Sequence, residues 1–218
     1  VANHAISMIM ALHRGLFQAN SSTQDGKWIP APKTAEIISL QDSSLGVIGC
    51  GRIGRNFIEK MRPFVKEVIG YDPGVTTPIE GVRMVTNLDD LLTNCKVISM
   101  HAPYMPSTHH MISEKELAKM QKGSILVNVS RGGLIDEDAL VKALESGHLD
   151  GAGLDVFEKE PLAEDSVLRH TKNLIVTPHI AWYSQSAGPR LIQWGFEDAF
   201  SLITSGKINN GNFAVGPF

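Results

Sequence analysis

Apolar positions along this chain fall mostly in short unbroken runs, separated by stretches whose apolar residues recur at helical spacing. The runs at residues 45–48, 67–71, 82–85, 97–101, 124–129, 152–156 and 173–176 are predicted as strands. They are continuous rather than alternating, as strands buried on both faces must be. Helices are predicted between them. Residues 53–63 open directly from a glycine turn. Ser113 and Glu116 form a capping box leading into Leu117 and Met120. Asp136 can cap residues 137–146, with Leu140, Val141 and Leu144 on one face and Gly147 as the stop. Residues 5–16 are apolar almost all round, which suits a helix buried between domains or subunits. Residues 20–35 are polar, carry Gly26, Pro30 and Pro32, and read as a connecting loop. Strand–helix alternation of this kind predicts an α/β protein with a doubly wound parallel sheet and helices on both faces.

The first strand runs into Gly49-x-Gly51-x-x-Gly54, and Asp72 follows 18 residues after Gly54 at the end of the next apolar run. Strand, glycine turn, helix and acid in this order form the dinucleotide fingerprint of a Rossmann-type sheet. The bare backbone and helix N-terminus take the pyrophosphate, and the acid takes a ribose. Asp72 also precedes Pro73, so it could serve only as a turn residue. An acid here repels a 2′-phosphate and favours NAD over NADP. Cys50, inside the turn, reads as a small residue in a crowded corner.

Four later segments end or follow a strand and carry polar residues: His101-Ala102-Pro103, Asn128 to Gly133, Asp155 to Pro161, and Thr177 to Trp182. In a doubly wound sheet they converge on the edge that receives the dinucleotide. An arginine, a glutamate and a histidine there are the parts for hydride and proton transfer. Arginine can grip a carboxylate in bidentate fashion. Histidine can exchange a proton with a carbonyl or hydroxyl oxygen, and a glutamate on its other nitrogen would fix the tautomer.

With these motifs quoted, residues 45–182 resemble the cofactor domain of the D-isomer-specific 2-hydroxyacid dehydrogenases, and Gly26-x-Trp28 ahead of them agrees. The resemblance implies a role for each matching residue. Gly49, Gly51 and Gly54, with the amides of Arg52 and Ile53, would hold the pyrophosphate. Asp72 would bond the adenosine ribose. His101, Ala102 and Pro103 would line the adenine side, and Val129 and Ser130 the nicotinamide ribose. Asp155 would hold the carboxamide. Arg131 would orient a 2-oxo or 2-hydroxy acid, with Glu160 and His179 as the acid/base pair. Glu158 is a rival for Glu160, but the place before Pro161 favours Glu160. Trp182, three residues after His179, divides evenly between substrate contact and packing.

The resemblance also implies an organisation: a dinucleotide-binding domain at residues 1–190, crossover helix included, and a helix and tail at 191–218 that would return to a substrate domain largely absent from this chain. Such a chain is expected to fold but to turn over weakly, and to form a homodimer through its first helix. Two other functions fit the same motifs. One is an NADH-sensing protein like the C-terminal binding protein corepressors. The other is an NADPH-dependent glyoxylate or hydroxypyruvate reductase.

Bulk properties narrow the field little. The formal net charge of −3 offers no electrostatic reason to expect nucleic acid or an anionic membrane. Two cysteines without metal-ligand spacing suggest a reducing, cytoplasmic setting. The remaining histidines, His4 among them, read as structural or solvated, and no metal site is expected.

Overall fold

A computed structural model describes residues 1–28 and 39–207. Its frame is a seven-stranded parallel sheet: β1 (Ser44–Ile48), β2 (Glu67–Tyr71), β3 (Val82–Val85), β4 (Val97–Met100), β5 (Ser124–Asn128), β6 (Leu149–Leu154) and β7 (Leu174–Val176). The spatial order is β3-β2-β1-β4-β5-β6-β7, so the winding reverses between β1 and β4. The α-helices among the described residues are α1 (Ala2–His13), α2 (Leu16–Gln24), α3 (Arg52–Met61), α4 (Leu88–Asn94), α5 (Glu114–Lys119), α6 (Glu137–Glu145) and α7 (Ala187–Ser205), with short 3-10 turns between them.

Two apolar layers flank the sheet. One packs Ala5 and Ile9 of α1 and Phe57 and Met61 of α3 on Leu45, Val47 and Val127. The other packs Leu91, Leu117 and Leu140, from α4, α5 and α6, on Ile48, Ile98 and Leu126. The predicted doubly wound sheet is thus present, with every predicted strand.

Differences from the sequence reading have local causes. The first helical stretch is two helices, broken where Gly15 adopts φ +56°. Leu16 therefore opens α2 and is exposed, while α1 buries Ala2, Ala5, Met8, Ile9 and Ala11. The loop expected from residue 20 begins later, because α2 continues to Gln24. Part of that loop, residues 29–35, lies outside the described residues. Strand β6 spans Leu149–Leu154 rather than residues 152–156, so Gly151 lies within it.

The chain divides into two compact units, Val1–Ala181 and Trp182–Phe218. The first holds the whole sheet, and the second holds α7. No helix among the described residues is long and apolar enough to cross a membrane.

Candidate active site

Where the winding reverses, the strand ends are tied by backbone bonds. Gly49 N donates to Tyr71 O at 2.9 Å, and His101 N donates to Ile48 O at 2.7 Å. Gly49 has φ +91°, and a Cβ there would stand 2.4 Å from Ala102 N. A Cβ on Gly54 would stand 2.1 Å from Gly49 O. Those two glycines let the turn close on itself. Gly51 is different, since a Cβ there would meet nothing within 4 Å. It is the N-cap of α3 and makes no side-chain cap, with Arg52 and Ile53 as the first helical residues. A bare helix N-terminus facing open space is what a pyrophosphate requires.

Asp72 sits at the same turn. Its Oδ2 accepts from Cys50 N and its Oδ1 from Gly74 N, both at 2.8 Å. It is therefore a turn residue and also a carboxylate fixed against the glycines, with lone pairs left for hydroxyl donors. Burial, reinforced by the Asp72 charge, pushes the Cys50 thiol up to about 11, so it packs there un-ionised. These residues fit a dinucleotide.

His101 departs from its expected place on the adenine side. Its ring turns inward, 4.7 Å from the Phe57 ring of α3, with Nε2 3.0 Å from Ser99 Oγ. Its Nδ1 is buried without a hydrogen-bond partner. The Phe57 ring and the Ser99 hydroxyl, at the end of β4, hold the partly buried side chain there. Ala102 is buried with its amide against Gly49, and Pro103 is exposed. Burial first, and the Val1 α-amino charge second, lower the His101 pKa to about 4. The folded state thus holds a neutral ring that the unfolded chain protonates near 6.5, so stability falls as pH drops through that interval. Urea unfolding at about pH 7 and about pH 4.5 is expected to show a larger loss for the parent chain than for His101→Phe.

Beyond β5 the chain is held by Asn128, which is fully buried. Its Oδ1 accepts from Ser130 N at 3.0 Å and its Nδ2 donates to Arg131 O at 2.9 Å. Ser130 Oγ donates to Met100 O at 2.7 Å, tying this turn to β4, and Val129 is buried beneath it. Gly132 then lies flat on the next segment, where a Cβ would stand 1.8 Å from the Phe157 carbonyl carbon. This contact brings Arg131 alongside the segment that carries Glu160. The exposed Arg131 side chain donates from Nη1 to Ser130 O at 2.7 Å.

Glu160 and His179 form a direct pair, with His179 Nδ1 2.7 Å from Glu160 Oε2. Phe157 N donates to Glu160 Oε1 at 3.0 Å, fixing the carboxylate. Burial would raise the Glu160 pKa, but the bonds from His179 and Phe157, with the charges of His179 and Arg131, outweigh it and hold the carboxyl low. Glu158 points elsewhere, paired with His110 Nε2. A cavity of about 520 Å³ adjoins the pair between Phe157, Leu162, Arg169 and Pro178, and Arg131 is not in its lining.

Asp155 is fully buried rather than presented to a ligand. Its Oδ1 accepts from Thr177 Oγ1 at 2.5 Å and Ile180 N at 2.9 Å, and its Oδ2 accepts from Ala181 N at 2.7 Å. This carboxylate staples the turn that carries His179, whose φ is +54°, a conformation that side chains resist. Asn128 and Thr177 were not singled out in the sequence, although both stand in the polar segments that end strands. Trp182 opens the second unit and stands edge-on to Tyr183, centroids 5.4 Å apart.

Residues 6–181 match the model of the D-isomer specific 2-hydroxyacid dehydrogenase, NAD binding domain. The chain belongs to this family. Among its relatives, D-3-phosphoglycerate dehydrogenase of Methanocaldococcus jannaschii is 39% identical over 182 residues, covering 82% of this chain and 34% of that protein. Glycerate dehydrogenase of Methylorubrum extorquens is 35% identical over 216 residues, covering 96% and 67%. Among solved structures, the NAD-dependent formate dehydrogenase of Staphylococcus aureus in complex with NAD superposes with a TM-score of 0.87 at 28% identity, covering 96% and 63%. The chain thus spans about a third of one family member's length and about two thirds of the other two.

Proposed function

We propose that this chain is the cofactor-binding and acid/base portion of an NAD-dependent oxidoreductase that interconverts a D-2-hydroxy acid and its 2-oxo acid. The His179–Glu160 pair carries the reading, because it stands on the same sheet edge as the glycine turn. A carboxylate accepting at Nδ1 places a proton there and leaves Nε2 for exchange with the substrate oxygen. A charged His179 gives its Nε2 proton to the substrate oxygen as the 2-oxo acid becomes a hydroxy acid, and a neutral His179 takes a proton at Nε2 in reverse, the Nδ1 proton staying with Glu160 throughout. Arg131 orients the substrate carboxylate, and both cations stabilise negative charge on the reacting oxygen. A nicotinamide dinucleotide would be held by its pyrophosphate at Gly51 and the start of α3, and would supply or take the hydride at the substrate's C2. Asp155 acts from beneath, by holding the His179 turn.

The test is NADH oxidation against pyruvate, glyoxylate, hydroxypyruvate, phenylpyruvate and branched-chain 2-oxo acids. Turnover with at least one supports the reading and ranks the substrates. Weak turnover of this chain alone is expected, so the assignment moves to a cofactor-sensing protein only if the chain joined to a substrate domain binds NADH tightly and still turns over none of these acids.

Cofactor choice gives a separate expectation. With Asp72 beside the adenosine ribose its charge would repel a 2′-phosphate, so NADH should bind about tenfold or more tightly than NADPH. Fluorescence titration checks this, and Asp72→Ser should narrow the gap. Equal affinities in the parent chain would count against it.

A further inference from the structure

Helix α1 lies along β6 in a matched register. Seen from the strand, a Cβ on Gly151 would stand 2.9 Å from Leu12 Cδ2, and one on Gly153 would stand 3.0 Å from Met8 Sδ. The next step of the same row puts His4 Nε2 3.5 Å from Asp155 Oδ1. Four helical residues rise about 6 Å and two strand residues about 6.6 Å, so the rows stay in step over the whole contact. The two glycines let the helix approach, and the third pair is polar.

His4 Nε2 also lies 2.9 Å from Thr177 Oγ1. The Thr177 hydroxyl has one proton, and it goes to Asp155 Oδ1. The threonine oxygen must therefore accept, which makes His4 Nε2 the donor. The result is a directed chain from His4 through Thr177 to Asp155, whose oxygens hold the amides of Ile180 and Ala181, the first two after His179.

We propose that His4 is a positioning residue for His179, bracing Asp155 and Thr177 from α1 so that the His179 turn keeps its left-handed backbone and its bond to Glu160. The inference rests on the acid/base role proposed above for His179, but its geometry can be tested without turnover. The polar partners of His4 are Thr177 and Asp155, so its influence on His179 passes through the buried carboxylate.

The experiment uses the ligand-free chain, isotope-labelled for NMR. His4→Leu removes the donor and keeps bulk, whereas His4→Gln keeps an amide donor on a side chain of similar reach. His4→Leu is expected to shift the Ile180 and Ala181 amide signals, speed their hydrogen exchange about tenfold, and disturb the His179 Nδ1 proton, with His4→Gln restoring all three. Thr177→Val provides a second variant should His4→Leu fail to fold. Because His4 acts through Thr177, adding His4→Leu to Thr177→Val should change little further. Unchanged His179 signals in His4→Leu, identical behaviour of Leu and Gln, or additive effects in the double variant would overturn the proposal.

A kinetic arm separates the two claims. With a 2-oxo acid that the parent chain reduces, His4→Leu should lower kcat about tenfold and leave KM for NADH near its parent value. If the parent reduces none of the acids tested even when joined to a substrate domain, the oxidoreductase reading fails while the NMR comparison still decides the role of His4.

Discussion

Replacing His179 with alanine is expected to lower kcat for 2-oxo acid reduction by about 10²–10⁴-fold, the usual worth of a positioned proton donor. NADH binding should persist, because the glycine turn and Asp72 are built independently of the His179 turn. Steady-state kinetics with parallel NADH titration separates the two. The pair's geometry adds a finer expectation. Glu160 stays ionised because hydrogen bonds from His179 and Phe157 outweigh the burial that would raise its pKa. Glu160→Gln removes that charge and should impair turnover in the reductive direction, where the ring must carry a proton. Turnover of His179→Ala at the parent rate would remove the histidine from the mechanism.

The second large effect falls on stability. Gly132→Ala would set a methyl carbon 1.8 Å from one backbone atom of Phe157 and 2.1 Å from another. Neither is the end of a flexible side chain, so the two segments must separate. A loss of about 3 kcal/mol is expected, at the upper end of ordinary overpacking. The separation also moves Arg131 from the Phe157–Glu160 segment, so 2-oxo acid reduction should fall beyond what the lower stability explains. Chemical denaturation measures the first effect, and activity well below the unfolding midpoint measures the second. Gly133→Ala is a useful control, because its new carbon would meet the Tyr104 ring at 2.6 Å, a side chain that is half exposed and can swing away.

The sheet was legible because its five inner strands are mostly buried apolar runs, while the edge strands β3 and β7 bury no residue fully, and because a glycine turn followed by an acid restricts topology severely. The short helix α4 was not legible. It spans Leu88–Asn94, buries only Leu91 and Leu92, and owes its start to Asn87, whose side chain accepts from Asp89 N. Polar α2 was hidden by its Asn-Ser-Ser-Thr run, which reads as loop wherever packing does not decide. The early start of β6 was hidden by Gly151, whose missing Cβ makes room for Leu12.

At the site, the sequence order identified which segments meet but not which way their side chains turn. His101 and Asp155 both end strands, where a side chain can face the crevice or the interior. His101 went inward to Phe57 and Ser99, and Asp155 inward to Thr177 and the amides beyond His179. Glu160 was separable from Glu158 because the residue before a proline sits at a defined place in a turn. His4 gave no local signal, since its partners lie 151 and 173 positions away (155 − 4 and 177 − 4).

The three glycines of the turn answer to different demands. Those at 49 and 54 are dictated by the chain's own backbone, whereas Gly51, at φ −74° with open space before its Cα, could become alanine without disturbing any atom of the protein. A library of variants sorted for correct folding would therefore retain alanine at 51 and discard it at 49 and 54. Sorting the same library for dinucleotide binding would discard all three. The difference between the two surviving populations would outline the ligand's contact surface on this chain without a ligand ever being seen bound.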